Sequence, residues 1–390
     1  MPSHRATPDS AGLPSAEATQ SDTAAHHTPH APHTPWPKSA VLGVILSIAV
    51  SIVVLAFSWP AVTAEPKDLP VAISGPSQMV DQVKTGIEGQ SEAALKLQEV
   101  SDREAAINQI EQREAYGAII LGEKPEVLTS SAASTVTNQM LTQLRGTLEQ
   151  NLQQAAAVQA QAAGVPAPTV TVELTDVVPL VEDDPRGAAF TAASFPLVIG
   201  GLIGGIGITF AVAGAWRRVV ALLVYASVAG VAIAGIMQGW FHVLGGNYFA
   251  IAGTFALTLL AMGTVIVGFA SIFGRAGISV GPVLFMLIGN PISAATFPRE
   301  FYPAPWGDIG QYLPPGAGVT LLRDASYFPD ANLAWPTLTL VAWAVGGLIL
   351  VVIGHFRDQG RFAIEENPED AAATHAVTNG PSRSAPNAAV

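Results

Sequence analysis

Gly289-Asn290-Pro291-Ile292-Ser293 closes an uncharged, Gly-rich apolar run that begins after Arg275. Beyond it comes a stretch studded with proline and aromatics, from Phe297-Pro298-Arg299-Glu300 to Leu313-Pro314-Pro315-Gly316-Ala317-Gly318, ending at Leu321-Leu322-Arg323. A soluble core has no use for such a run followed directly by Trp, Tyr and Pro. A membrane span that surfaces into an interfacial loop does, because amphipathic rings settle at headgroup level. The stretch therefore reads as part of a polytopic membrane protein.

Composition agrees. The chain has 390 residues, 49% hydrophobic and only 12% charged, against about 25% charged in soluble domains. The net charge of −12 comes mostly from the polar stretches 65–186 and 358–370, and reads as solvated surface. No basic patch with interleaved aromatics is present, so a nucleic-acid partner is not expected. Cysteine is absent, which excludes disulfides, thiolate metal sites and Cys nucleophiles.

Residues 1–37 are mostly Pro, Ala, Thr, Ser and His and cannot bury enough apolar surface to offset their ordering entropy, so a disordered tail is expected. Its His26, His27, His30 and His33 are a weak metal signal without fixed geometry. Residues 38–63 hold a first apolar segment long enough to span, flanked by Lys38 and Trp59-Pro60. A cleaved signal peptide ending at Val62-Thr63-Ala64 is the rival, but the apolar run is too long for one.

Residues 64–187 read as a small α/β domain. Leu69–Ser74 is a strand. Met79, Val80, Val83 and Ile87 share a helical face. Leu95 and Leu97 alternate with polar neighbours, and Ser101-Asp102-Arg103-Glu104 has the form of a capping box for a helix reaching Tyr116-Gly117. Ala118–Leu121 is a buried strand. Val136, Met140, Leu144, Leu148 and Leu152 mark a long amphipathic helix, and Val170, Val172 and Leu174 a closing strand. The acids Glu182-Asp183-Asp184 lack the alternating spacing of a calcium loop. Asp184 before Pro185 suits a helix cap instead.

Residues 188–356 carry five more apolar segments, near 190–213, 219–238, 248–272, 278–297 and 336–354, with an outer loop at 298–334 and a polar tail at 357–390. The apolar cores hold no Asp, Glu, Lys or Arg, which argues against an ion-coupled pump. Gly200, Gly201, Gly204 and Gly205 form overlapping small-xxx-small pairs, as Ala226, Gly230 and Ala234 do, and suit close helix packing. Arg217-Arg218, Arg275, Arg357 and Arg361 punctuate alternate connections. The positive-inside rule then places both termini in the cytoplasm and the 64–187 domain outside, with six spans across the cell membrane.

No P-loop, HExxH or GxSxG motif occurs, so no enzymatic constellation is expected. The arrangement resembles the permeases of the ABC-2 type, in the branch with a large extracytoplasmic insert like the phage infection protein group. The residues carrying the resemblance are Arg113-Glu114-Ala115-Tyr116-Gly117-Ala118-Ile119-Ile120, Asp184-Pro185-Arg186-Gly187, Gly289-Asn290-Pro291-Ile292-Ser293 and Leu313-Pro314-Pro315-Gly316-Ala317. The resemblance implies a half-transporter that pairs with a second copy or a paralogue. A cytoplasmic ATPase would bind the ATP, leaving no cofactor in this chain, and an amphipathic or lipid-like compound would move across the membrane. It implies a coupling contact at Trp216, Arg217 and Arg218, and an outer gate at Asn290, Pro291, Pro298, Trp306, Pro314 and Pro315. Similar insert-bearing proteins resemble secretion-system scaffolds and phage receptors, which leaves a scaffold or receptor as the alternative.

Overall fold

The computed structural model describes residues 35–88 and 94–365; His26, His27, His30 and His33 lie outside the described residues. Helix α1 spans Trp36–Thr63. It leads into β1 (Leu69–Ser74), α2 (Ser77–Glu88), β2 (Leu95–Glu99), α3 (Arg103–Glu111), β3 (Gly117–Ile120), β4 (Glu126–Thr129), α4 (Thr135–Ala163) and β5 (Glu173–Asp176). The strands form a five-stranded sheet in the order β2-β1-β3-β4-β5. Its neighbours pair in parallel except for antiparallel β3 and β4.

Both faces of the sheet are covered, because successive strand side chains point to opposite sides. Leu69, Val71 and Ile73 pack with the apolar face of α2 and with Val136, Met140, Leu144, Leu148 and Leu152 of α4. Ala72, Ala118 and Leu128 pack on Ala106 and Ile110 of α3. Helix α4 is capped at its start by Ser134, whose hydroxyl accepts from Thr137 N at 3.2 Å, and at its end by left-handed Gly164.

Three local expectations shift, and one strand was not expected. The cap of α3 is Asp102, accepting from Ala105 N at 2.8 Å, and Ser101 donates to Asp102 instead of capping. That helix ends at Glu111, before Tyr116. The closing strand is β5 at Glu173–Asp176, with Val172 buried ahead of it. Strand β4, only four residues long, had no alternation to announce it.

The second half holds α5 (Ala188–Ala211), α6 (Ala215–Ala234), α7 (Tyr248–Phe273), α8 (Arg275–Ile278), α9 (Trp306–Gln311), α10 (Pro314–Tyr327) and α11 (Ala334–Glu365). With α1, helices α5, α6, α7 and α11 make five that are long and apolar enough to cross a membrane. The chain is built as a multi-pass helical membrane protein. Helix α7 is the hub, with most side chains from Ile251 to Ala270 buried. The helical run of α11 reaches Glu365, so the polar tail expected from 357 begins as helix.

The segment expected to span at 278–297 is not a single helix long enough to do so. Helix α8 and a π-helical stretch, Pro282–Gly289, are helical only as far as Gly289. Fifteen residues from Arg275 to Gly289 rise only about 22 Å, short of the roughly 30 Å hydrocarbon core. The neighbours of this stretch show where the chain goes next. Helices α7 and α11 run parallel: Gly268 faces Gly347 and Leu350, while Gly354 faces Ser271. The chain between them must therefore return along α7. It does so in two pieces. In the first, Gly277 lies at Phe269 and Gly281 at Ile266; in the second, Gly318 of α10 lies at Thr258 and Gly246 lies against Ala325 and Ser326. Much of the stretch read as a loop at 298–334 is thus the buried helix α10.

Candidate gate and coupling surface

Between the two pieces of the return leg, the chain makes an excursion from Asn290 to Leu313. The backbone N–H of Asn290 donates to Phe285 O at 2.9 Å. Its own carbonyl accepts from Ser293 N at 3.2 Å and from the Ser293 hydroxyl at 2.8 Å. Pro291 offers no N–H, so this turn stops the helix where a continuous span would go on. Gly289 abuts Pro315, so the two resemblance motifs of this region touch. Pro298, Pro314 and Pro315 are buried, whereas Trp306 is exposed and meets Trp59 edge to face at 6.0 Å. The expected gate residues Asn290, Pro291, Pro298, Trp306, Pro314 and Pro315 thus all lie in the excursion or at the start of α10.

The sheet domain is docked onto this segment by charge. Arg113, just past α3, pairs with Asp324 of α10, and its guanidinium lies 5.5 Å from the Phe328 ring centroid. Burial opposes the Arg113 charge, but Asp324 and Tyr116 outweigh it and hold the group protonated above its usual range. Tyr116 donates to Glu300 Oε2 at 2.9 Å, and Glu300 also pairs with Arg299 at 3.0 Å. Burial and Glu300 push the Tyr116 hydroxyl well up. Arg323 donates to the carbonyls of Ala133 and Ala295 and stacks over Phe190 at 4.7 Å. Arg113 keeps a left-handed φ of +59°, a conformation that costs a non-glycine residue roughly 1–2 kcal/mol.

Arg113, Tyr116, Glu300, Arg323 and Asp324 were not among the expected gate residues. Arg113 and Tyr116 stood in a resemblance motif without a role. The legible signal was Arg323-Asp324, a charged pair interrupting an otherwise apolar helix. Its partner across the chain had no signal.

At the other end of the bundle, Trp216 is exposed and its ring lies 6.5 Å from that of His355. Arg217 is exposed. Arg218 is occupied: its Nε donates to Val212 O at 2.7 Å and Nη2 to Thr209 O at 3.0 Å. These carbonyls end α5, where a cation suits the helix dipole. Of the expected coupling residues, Trp216 and Arg217 face outward and Arg218 caps a neighbouring helix.

The glycines of α5 sit at helix contacts. A Cβ on Gly201 would meet Met262, on Gly205 Ile266, and on Gly204 Tyr225 at 2.1 Å. The Tyr225 hydroxyl donates to Gly200 O at 2.8 Å. Asp184 caps α5 as expected of its type, but from further out: its carboxylate accepts from Ala188, Ala189 and Phe190 N at 2.9, 2.9 and 3.2 Å. Helix α5 starts at Ala188, not at Pro185. Among the described residues, no group of three or more His, Cys, Asp or Glu could hold a metal ion.

No protein-family model, curated protein or solved structure matches the chain.

Proposed function

We propose that this chain is the membrane-spanning half of an ABC-2-type exporter, driven by a separate ATPase and paired with a second copy or a paralogue. The broken return leg along α7 carries the reading. Counted as a sixth crossing, it puts both ends of the chain on the side of Arg217, Arg275 and Arg357, which the positive-inside rule assigns to the cytoplasm. The sheet domain then lies outside. Non-helical backbone at membrane depth is tolerated only where protein or a water-lined cavity compensates, so a leg interrupted by Asn290-Pro291 suits a gate better than a plain span. Trp216 and Arg217, at the opposite end, form the surface an ATPase would grip. An amphipathic or lipid-like compound is the cargo that suits spans without charge.

The experiment is co-purification of the full chain with an ABC ATPase encoded beside it, followed by ATP turnover. Arg217→Glu should lower turnover without changing the melting temperature, whereas Arg218→Ala should lower the melting temperature through the exposed end of α5. No complex, or turnover indifferent to Arg217, removes the mechanism. Deleting residues 64–187 does not separate a scaffold reading from this one, because it strips the partners from Asp324 and Arg323. Capture lost after that deletion does not discriminate.

A further inference from the structure

One cavity outside the gate region carries carboxylates and no cation. Its volume is about 410 Å³, and it lies where the chain after β5, from Val177 to Val181, passes the end of α10 and Gly245 of the α6–α7 connection. Val177, Pro179, Val181 and Pro329 make its apolar side. Glu111 at the end of α3 and Asp330 just past α10 add two carboxylates. Among the described residues, no lysine, arginine or histidine lines it, and neither Glu111 nor Asp330 has an ion-pair partner. Arg113 lies over the ring of Phe328, which also lines the cavity, but Asp324 already meets its charge.

The end of α10 independently asks for a hydrogen-bond donor. Phe328 N closes the last turn by donating to Asp324 O at 2.9 Å, and Pro329 follows with no N–H to give Ala325 O. The helix therefore ends here with carbonyls to spare, at the negative end of its dipole. Ser326, on that last turn, is 4% exposed and lines the cavity, yet its hydroxyl oxygen has no hydrogen-bond partner. A buried hydroxyl without a partner is destabilising, and a ligand that bonds it relieves the deficit.

We infer that this cavity binds a small amphiphilic amine, its ammonium among Glu111, Asp330 and the Ser326 hydroxyl and its apolar body along Val177–Val181. An ammonium brings both the charge and the donors that the site lacks. An anion would meet only carboxylates and a helix C-terminus. A divalent metal ion takes six or more oxygen ligands, and among the described residues no group of three acids or histidines could hold one. The site joins α3 and the chain after β5 to α10, so an occupant ties the sheet domain to α10 beside the Arg113–Asp324 pair. Neither the export reading nor an ATPase enters the inference.

The test titrates the full chain in detergent with hexylamine and, in parallel, with hexanol, reading the dissociation constant by ligand-observed NMR and the melting temperature. Hexylamine should bind and raise the melting temperature, and hexanol should do neither. Glu111→Gln combined with Asp330→Asn should weaken hexylamine about tenfold or more, the equivalent of roughly 1.4 kcal/mol. Ser326→Ala is the second arm: it should weaken hexylamine while the ligand-free melting temperature stays at or above that of wild type, because the unpaired hydroxyl is gone. No binding of hexylamine to wild type overturns the inference. Equal binding of hexylamine and hexanol marks a plain apolar cleft and overturns it. So does hexylamine binding unchanged by the substitutions, which marks partition into the micelle, and so does its displacement by an equal concentration of calcium, which marks an inorganic cation site.

Discussion

At Arg113 a side chain holds a backbone in place against its own preference. Glycine would adopt the left-handed φ of this position more easily, yet the residue is an arginine whose charge meets Asp324, 6% exposed in its side chain. Removing one partner of a buried ion pair strands the other and costs about 3–5 kcal/mol, while replacing both by apolar groups is close to neutral. Asp324→Ala should therefore lower the melting temperature of the purified chain strongly, and Arg113→Met with Asp324→Leu should restore much of it. Equal losses in the single and double variants would mean the pair does no docking. A second residue sets an acid limit. The hydrogen bond from Arg103, at 2.6 Å, is the chief reason that Glu126 sits below its usual value of 4.5. A carboxyl lowered in the folded state adds stability above its unfolded pKa and loses it as pH falls through the folded value. Glu126→Gln should flatten the loss of melting temperature below about pH 4.5, modestly, because Arg103 is half exposed. An unchanged acid profile would remove Glu126 from the account of acid unfolding.

Elements were legible where a period repeats and obscure where partners lie far apart in sequence. The face of α4 and the spans α5, α6, α7 and α11 follow directly from apolar spacing. Strand β4 is four residues long, too short for alternation to register, and its side chains are buried by α3 on one face and α4 on the other. The return leg misled for a related reason: 278–297 is uncharged throughout, and mean hydropathy cannot see that Asn290-Pro291 turns the chain. Helix α10 was hidden by prolines that read as loop, although Pro314 and Pro315 occupy its first turn, where proline is tolerated. The glycine contacts of α5 allow a clean test at this scale. Gly204→Val would drive a side chain into the Tyr225 ring, whereas Gly207→Ala meets nothing within 4 Å. The first should abolish recovery of folded protein from membranes and the second should leave it near wild type. Equal recovery would mean α5 and α6 do not rely on this contact.

Across the whole molecule, the candidate site was half legible. Asn290, Pro291, Pro298, Trp306, Pro314 and Pro315, expected as a gate, come from a single run of sequence, and the structure places them in the excursion or at the start of α10. The clamp could not be read that way, because Arg113 and Asp324 are 211 residues apart and nothing in the sequence pairs them. Export through this chain requires the clamp and the Trp216–Arg217 surface to lie on opposite sides of the bilayer. The chain contains no cysteine, so single cysteines introduced at exposed positions report sidedness without background. With a membrane-impermeant maleimide on intact cells, Glu173→Cys and Asp308→Cys should label at once, and Arg217→Cys only after permeabilisation. Labelling of all three from the same side would contradict the sixth crossing, and with it the assignment of gate and coupling surface.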